Sequence, residues 1–232
     1  MIIQSSFGVP AASFGSTTAF GASGGDLFVG AGYQKRTRYE VIGDGAVSAG
    51  FGIGNGKHLA AEVTVTSFST LRQGFLANGS ASVKLHRLLN NRSAVAVGYE
   101  NAVPWGGTDG GSSLYIVGSK LLPLSAEEGK PFGGIGVSVG VGNGRFRSES
   151  AVRGHRAGVN VFGSASVRVL KPVMLIADWT GQDLNAGFAL QLPQRWPISI
   201  SVGFADITRS AGDGARFIAG GGASLHMKRA AR

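Results

Sequence analysis

Apolar and polar residues alternate one by one along most of this chain. In LAAEVTVTSFS, Ala61, Val63 and Val65 stand against Glu62, Thr64 and Thr66. In SASVKLHRL, Ala81, Val83 and Leu85 oppose Ser82, Lys84 and His86. IGVSVGVG sets Ile135, Val137, Val139 and Val141 against Gly136, Ser138, Gly140 and Gly142. PISISVGFAD continues the rule near the end, with Ile198, Ile200, Val202 and Phe204 on one face. Successive side chains of a strand point to opposite faces, so each run reads as a strand with one apolar face and one polar or very small face. No long segment has the 3.6-residue period of an amphipathic helix, and 39 Gly recur too often for helix interiors.

Turn residues separate the runs: Gly43-Asp44-Gly45, Asn55-Gly56, Asn78-Gly79, Asn90-Asn91, Asn143-Gly144 and Asp213-Gly214. Together they predict about twelve strands, over 25–36, 45–55, 59–69, 79–89, 93–103, 113–124, 132–143, 157–170, 172–182, 183–192, 197–208 and 215–227. The connections are alternately short and longer, as in an up-and-down antiparallel meander, and no boundary between two domains stands out. The expected fold is all-β, a closed antiparallel up-and-down β-barrel of membrane type. It would occupy 25–227, after a flexible Gly/Ser/Phe-rich lead (1–24) and before a basic tail (228–232). The lead carries Phe-Gly at 7–8, 14–15 and 20–21, and could equally be a plug or an extra strand.

Strand length and the polar face carry the membrane reading. Ten residues at about 3.3 Å, tilted about 40°, span roughly the 25 Å apolar band of a membrane barrel. Ordinary strands are commonly about five or six residues. The polar face is mostly Gly, Ser, Thr and Asn, which suits the crowded interior of a narrow barrel. Isolated charges of both signs fall on it: Glu62, Lys84, His86, Glu100, Arg168, Asp178 and Arg216. These are candidate lumen residues that could pair across it. Tyr33, Phe51, Phe68, Tyr99, Trp105, Phe132, Trp179, Trp196 and Phe204 lie near strand ends, as interface girdles do. The competing reading is a soluble sheet whose charges face water. It requires Val63, Val83, Val137 and Val167 to point into a packed core.

GSASVKLHRLL from Gly79 returns as GSASVRVLKPV from Gly163, each leading into a second alternating run. GIGNGK (Gly52–Lys57) returns as GVGNGR (Gly140–Arg145). These echoes predict duplication of a hairpin block. DLFVGAGYQKRTR, DGAVSAGFGIGNG, VTVTSFST, GNGRFRSE, IADWTGQDLNAG and GDGARFI resemble a group of uncharacterised cyanobacterial proteins of β-barrel type, over roughly residues 20 to 222. The resemblance implies outer-membrane or envelope placement and brings no catalytic or ligand residue. From Gly222 the last strand has the form Gly-x-x-apolar-x-apolar, ending at Leu225 and Met227. It resembles the terminal signal read by the outer-membrane assembly machinery. The first residues show no basic region and no apolar core of a signal peptide.

Few groups suit catalysis. Without Cys there are no disulfides, thiolate metal sites or Cys nucleophiles. His58, His86, His155 and His226 share no local ligand spacing, so neither metal nor cofactor is expected. A lipase site at Ser82 and His86 would need His86 on the lipid face, and the alternation places it inside. The GNG strings tempt a phosphate-loop reading, but no helix is expected after either one. They read as strand ends and turns. Asp178 is expected in a salt bridge with Arg168 or Arg216. The charge balance is +9, and basic residues cluster in loops: Lys35, Arg36 and Arg38; Arg145 and Arg147; Arg153 with His155 and Arg156; and Lys228, Arg229 and Arg232. No basic motif interleaved with aromatics suggests nucleic acid. Such loops at a barrel end would meet lipopolysaccharide or anionic headgroups, or bias a pore toward anions. The expected role is passive rather than enzymatic: a narrow pore for small ions or solutes, or a structural envelope protein. A ligand- or partner-binding soluble barrel or sandwich is the alternative, and a lipid hydrolase a distant third.

Overall fold

A computed structural model of the chain describes residues 13–107, 111–124, 132–192 and 197–227. Twelve strands account for nearly all of it. They are β1 (Asp26–Gln34), β2 (Asp44–Asn55), β3 (Leu59–Phe68), β4 (Asn78–Leu89), β5 (Ser93–Trp105) and β6 (Ser113–Pro123). Then follow β7 (Gly134–Gly142), β8 (Asn160–Leu170), β9 (Val173–Trp179), β10 (Leu184–Gln191), β11 (Ile198–Ala205) and β12 (Arg216–His226). Each strand pairs antiparallel with its sequence neighbours, and β12 pairs with β1 from Asp26 opposite His226 to Gln34 opposite Ile218. The sheet is therefore a closed, up-and-down barrel with no free edge. The proposed terminal signal sits at this seam, with Leu225 opposite Leu27 and facing outward.

The side-chain alternation maps onto the two faces. Outward positions are apolar and open on every side of the barrel: Val29 is 56 % exposed, Ile116 54 %, Val139 64 %, Val161 51 % and Ile200 47 %. Val83 is exposed, and Val63, Val137 and Val167 are half-buried on the same outer face; none belongs to a buried cluster. Inward positions hold buried Ser48, Glu62, Thr64, Lys84, His86, Ser119, Ser138, Ser166, Asp178, Ser199 and Ser201. The polarity of a soluble domain is thus inverted. Of the strand-end aromatics, Tyr33, Phe68, Trp105, Trp179 and Phe204 gather toward one end. Phe51 and Tyr99 sit further along their strands, Phe132 lies at the other end, and Trp196 falls outside the described residues.

The two ends differ. Loops 35–43, 69–77, 143–159, 180–183 and 206–215 cover one end, the long-loop end. Connections 56–58, 90–92 and 171–172 close the other, the short-turn end, where β6 and β10 also finish and β7 and β11 begin. Between β4 and β5, Asn91 and Arg92 both have positive φ (60° and 59°), the paired left-handed conformation whose twist suits a two-residue hairpin.

Both GSASV copies lie in strands running from the long-loop to the short-turn end, near the start of β4 and mid-way along β8, and both strands lead into tight turns. The GNG echo behaves differently. Gly52–Lys57 closes β2 at the short-turn end, whereas Gly140–Arg145 closes β7 at the long-loop end. β7 is five strands on from β2, an odd step that inverts direction, so this echo is not part of one repeated block. The expectation that no helix follows these strings also needs correction. Gly144–Phe146 form a 3-10 turn and Glu149–Arg153 a short helix, α1, whose N-terminal N–H of Ala151 is capped by Ser148 Oγ. The long 143–159 connection gives the chain room for it.

Candidate functional site

The candidate site is the lumen, and the chain fills it with its own residues 13–24. Among the described residues, this segment's backbone ties to the sheet are the isolated bridge between Gly24 and Gly52, with Gly24 N–H donating to Gly54 O at 2.8 Å, and the turn in which Asp26 N–H donates to Ser23 O at 2.9 Å. Gly24 is at the short-turn end; the segment then runs up the lumen to Asp178, near the long-loop end of β9. Ser13 and Ser16 to Ala22 are all buried. The lead therefore takes, over the described part, the plug among its three readings; residues 1–12 lie outside the described residues.

Inward side chains hold the segment by its main chain. Asp178 accepts the N–H of Gly15 (2.9 Å) and Ser16 (2.6 Å) on Oδ2 and that of Phe14 (3.4 Å) on Oδ1. Ser119 Oγ accepts from Ala19 N–H at 2.8 Å and shares a 2.7 Å bond with Ser138. Glu62 accepts from Ala22 N–H at 2.8 Å, and Lys84 Nζ donates to Phe20 O at 2.8 Å. His86 Nε2 lies 2.8 Å from Ala22 O; a carbonyl only accepts, so Nε2 carries the proton. Glu62 and Lys84 face each other in register on β3 and β4 and pair at 3.1 Å. Two Phe-Gly pairs key the segment in. Phe20 joins a buried cluster with Tyr115, Val117, Phe146 and Phe162, and Phe14 packs against Met174, Ile176 and Ala189. A Cβ on Gly21 would stand 2.8 Å from both His86 Cδ2 and Lys84 Cε. One on Gly52 would stand 2.3 Å from Ser23 O, a backbone atom that cannot yield.

The predicted lumen charges thus face inward, with partners that are not always those expected. Asp178 is held by three backbone N–H groups in place of a guanidinium, because the plug reaches it first. Arg168 lies opposite Met174, toward the other end of β9 from Asp178. Arg216 pairs with Asp183 at 2.5 Å. Glu100 pairs with Arg145, whose Nη1 also donates to Gly15 O. His86 Nδ1 is buried without a hydrogen-bond partner.

The basic loops are largely engaged within the molecule. Arg36 binds Asp213 Oδ2 at 2.6 Å; Arg38 bridges Glu149 and Asp183; Arg153 binds Glu149 at 2.7 Å and the carbonyls of Ser210 and Ala211. Arg147 donates to Gly144 O and Arg156 O. Burial pushes the Glu149 carboxyl up, but Tyr39, Arg153 and Arg38 outweigh it and hold it below its ordinary value. Asp213 is likewise lowered against its burial, by Arg36 and Tyr39 N–H. These arginines tie four loops into a cap. Lys35 and Arg156 remain exposed at this end, while Lys228, Arg229 and Arg232 lie outside the described residues.

The sequence reading missed Phe146 and Phe162, stacked at 4.1 Å in the upper lumen. Phe162 occupies an inward position in the otherwise polar register of β8, between Asn160 and Ser164, and that misplaced aromatic is the available signal. Among the described residues no cluster of three or more His, Asp or Glu could hold a metal. Fold and site together define a closed twelve-stranded antiparallel barrel with an apolar exterior and a lumen filled by its own N-terminal segment. No protein-family model matches the chain, and no curated protein matches it significantly.

Proposed function

We propose that this chain is an outer-membrane β-barrel with a passive, structural role in the envelope, and that it acts as a narrow pore for small ions or solutes only when its lumen is vacated. The observation that carries the reading is the outward belt of exposed Val, Ile, Leu and Phe, completed by small Ala and Gly on β12, around a barrel whose buried side is polar. In water such a belt would far exceed the apolar patch a soluble protein exposes. In a bilayer the closed hydrogen-bonded sheet leaves no backbone group unpaired toward lipid. The resting state favours the structural role, because residues 13–24 occupy the path. The pore reading rests on the polar walls behind them, lined by Glu62, Lys84, His86 and Asp178. Its partners are membrane lipid, with an anionic glycolipid such as lipopolysaccharide reachable from Lys35 and Arg156.

The test is gel mobility of detergent-refolded protein, unheated against boiled, followed by planar-bilayer conductance. The expected result is a heat-dependent shift, with little conductance from the full chain. Folding to β structure in plain buffer, without detergent and without a shift, would sink the membrane reading in favour of a soluble barrel that binds a ligand or partner.

A further inference from the structure

The contacts between the wall and the plug share a property that goes beyond closure. They address the main chain. Asp178, Ser119 and Glu62 accept the N–H groups of residues 14, 15, 16, 19 and 22. Lys84, His86 and Arg145 reach the carbonyls of residues 20, 22 and 15. These are groups every peptide carries. What the site asks of side chains is smallness at Gly15, where a Cβ would stand 2.7 Å from Thr180 Cγ2, and at Gly21, a side-chain hydrogen bond between Thr17 and Tyr115, and two aromatic anchors at Phe14 and Phe20. The segment pairs with the sheet at one isolated bridge, so it is held as a ligand is held and not as a thirteenth strand. Every hydrogen bond shown for the Asp178 carboxylate comes from the plug, so a vacated lumen would present an inward-facing acceptor able to take the N–H groups of another segment.

We infer that the lumen is a binding site for an extended, small-residue peptide carrying paired Phe-Gly steps, occupied in cis by residues 13–24 and open to a peptide of the same kind in trans once they leave. The inference builds on the pore reading, but its first readout does not need a membrane.

The chain has no Cys, so Ser119→Cys places a single thiol on the wall under Ala19. In the full-length protein that thiol is expected to resist a maleimide. Adding Gly21→Val to the full-length chain should dislodge the plug and raise the labelling rate at least about tenfold, since a plug that is out no more than about a tenth of the time shields the thiol. A synthetic peptide of residues 13–24 in molar excess should bring the rate back down, and the same peptide with the Gly21→Val change should not. Conductance in a planar bilayer should rise and fall in parallel. Retention of the heat-dependent gel shift shows that the variant is still a barrel. If Gly21→Val prevents folding, Phe14→Ala with Phe20→Ala removes the plug's own anchors without added bulk, leaves the wall intact for the peptide, and takes its place. The inference fails if a folded variant stays unreactive, if the thiol becomes reactive but the peptide gives no protection, or if both peptides protect equally. Loss of the gel shift in the unaltered chain would instead overturn the membrane reading, and leave the labelling result to stand or fall in detergent by itself.

Discussion

Asp178 shows how much of this molecule turns on single acceptors. Its Oδ2 takes the two shorter bonds, from Gly15 and Ser16, and its Oδ1 the longer one from Phe14. Asp178→Asn can keep a carbonyl oxygen at the Oδ2 position and should cost little. Asp178→Leu leaves those N–H groups buried without an acceptor, at about 1–3 kcal/mol each. The temperature at which the folded gel form is lost should therefore fall clearly for Leu and only slightly for Asn; equal losses would mean the carboxylate does not hold the plug. The loop cap makes a second residue-scale prediction. Glu149 and Asp213 have folded pKa values below their ordinary 4.5 and 3.8. Their contribution is present in full above those ordinary values and is lost as pH falls through the lowered ones. The N–H of Tyr39, bound to Asp213 at 2.9 Å, reports it. Its hydrogen-exchange protection, corrected for the intrinsic rate, should hold at about pH 6 and drop below about pH 4. Asp213→Asn should lower that protection already at about pH 6, and protection left unchanged by it would show that the cap does not depend on this carboxylate.

At the scale of elements, the strands were legible because a strand in a closed barrel obeys a local rule: period two, bounded by turn residues. Expected and observed strands agree in number and order, with ends shifted by a few residues where turns lie between Trp179 and Leu184 or before Gly134. The plug was not legible in the same way. Residues 13–24 have no period of their own; their positions are fixed by Asp178, Ser119, Glu62, Lys84 and His86, which are remote in sequence. Only the repeated Phe-Gly hinted at it, and its meaning depends on knowing that Phe fills a wall pocket while Gly lets His86 and Lys84 close in. Inward charges were legible for the same periodic reason, while their partners were not. The outer face supplies a test that depends on depth. Val139 lies within β7, and Leu59 begins β3 at the short-turn end. Val139→Arg should destabilise the barrel in lipid vesicles by about 2–4 kcal/mol in guanidinium titration, and Leu59→Arg by about 0–1 kcal/mol. Both are exposed, so a soluble protein would tolerate the two alike.

For the whole molecule, the positive charge is arranged by end. At the long-loop end Arg36, Arg38, Arg72, Arg145, Arg153 and Arg216 are paired with carboxylates, those of Glu40, Glu100, Glu149, Asp183 and Asp213. At the short-turn end Lys57, Arg87, Arg92, Lys120 and Lys171 are exposed. Among the described residues the only carboxylate there is Asp26, already bound to His226 at 2.7 Å. Arg87 and Lys120 project outward from β4 and β6 on either side of β5, in register with Val95 and Ser93, and Arg92 sits in the turn just beyond. A barrel seated in a bilayer would bring this rim level with lipid headgroups, where each basic residue adds about 1 kcal/mol of attraction to an anionic surface. Changing Arg87, Arg92 and Lys120 to Glu should therefore weaken association with anionic vesicles by on the order of a hundredfold at low salt, and by much less at high salt. Association with zwitterionic vesicles should hardly change, which separates loss of headgroup attraction from loss of folding. Equal losses in both lipids would mean that the rim serves the barrel's stability and not its seat in the membrane.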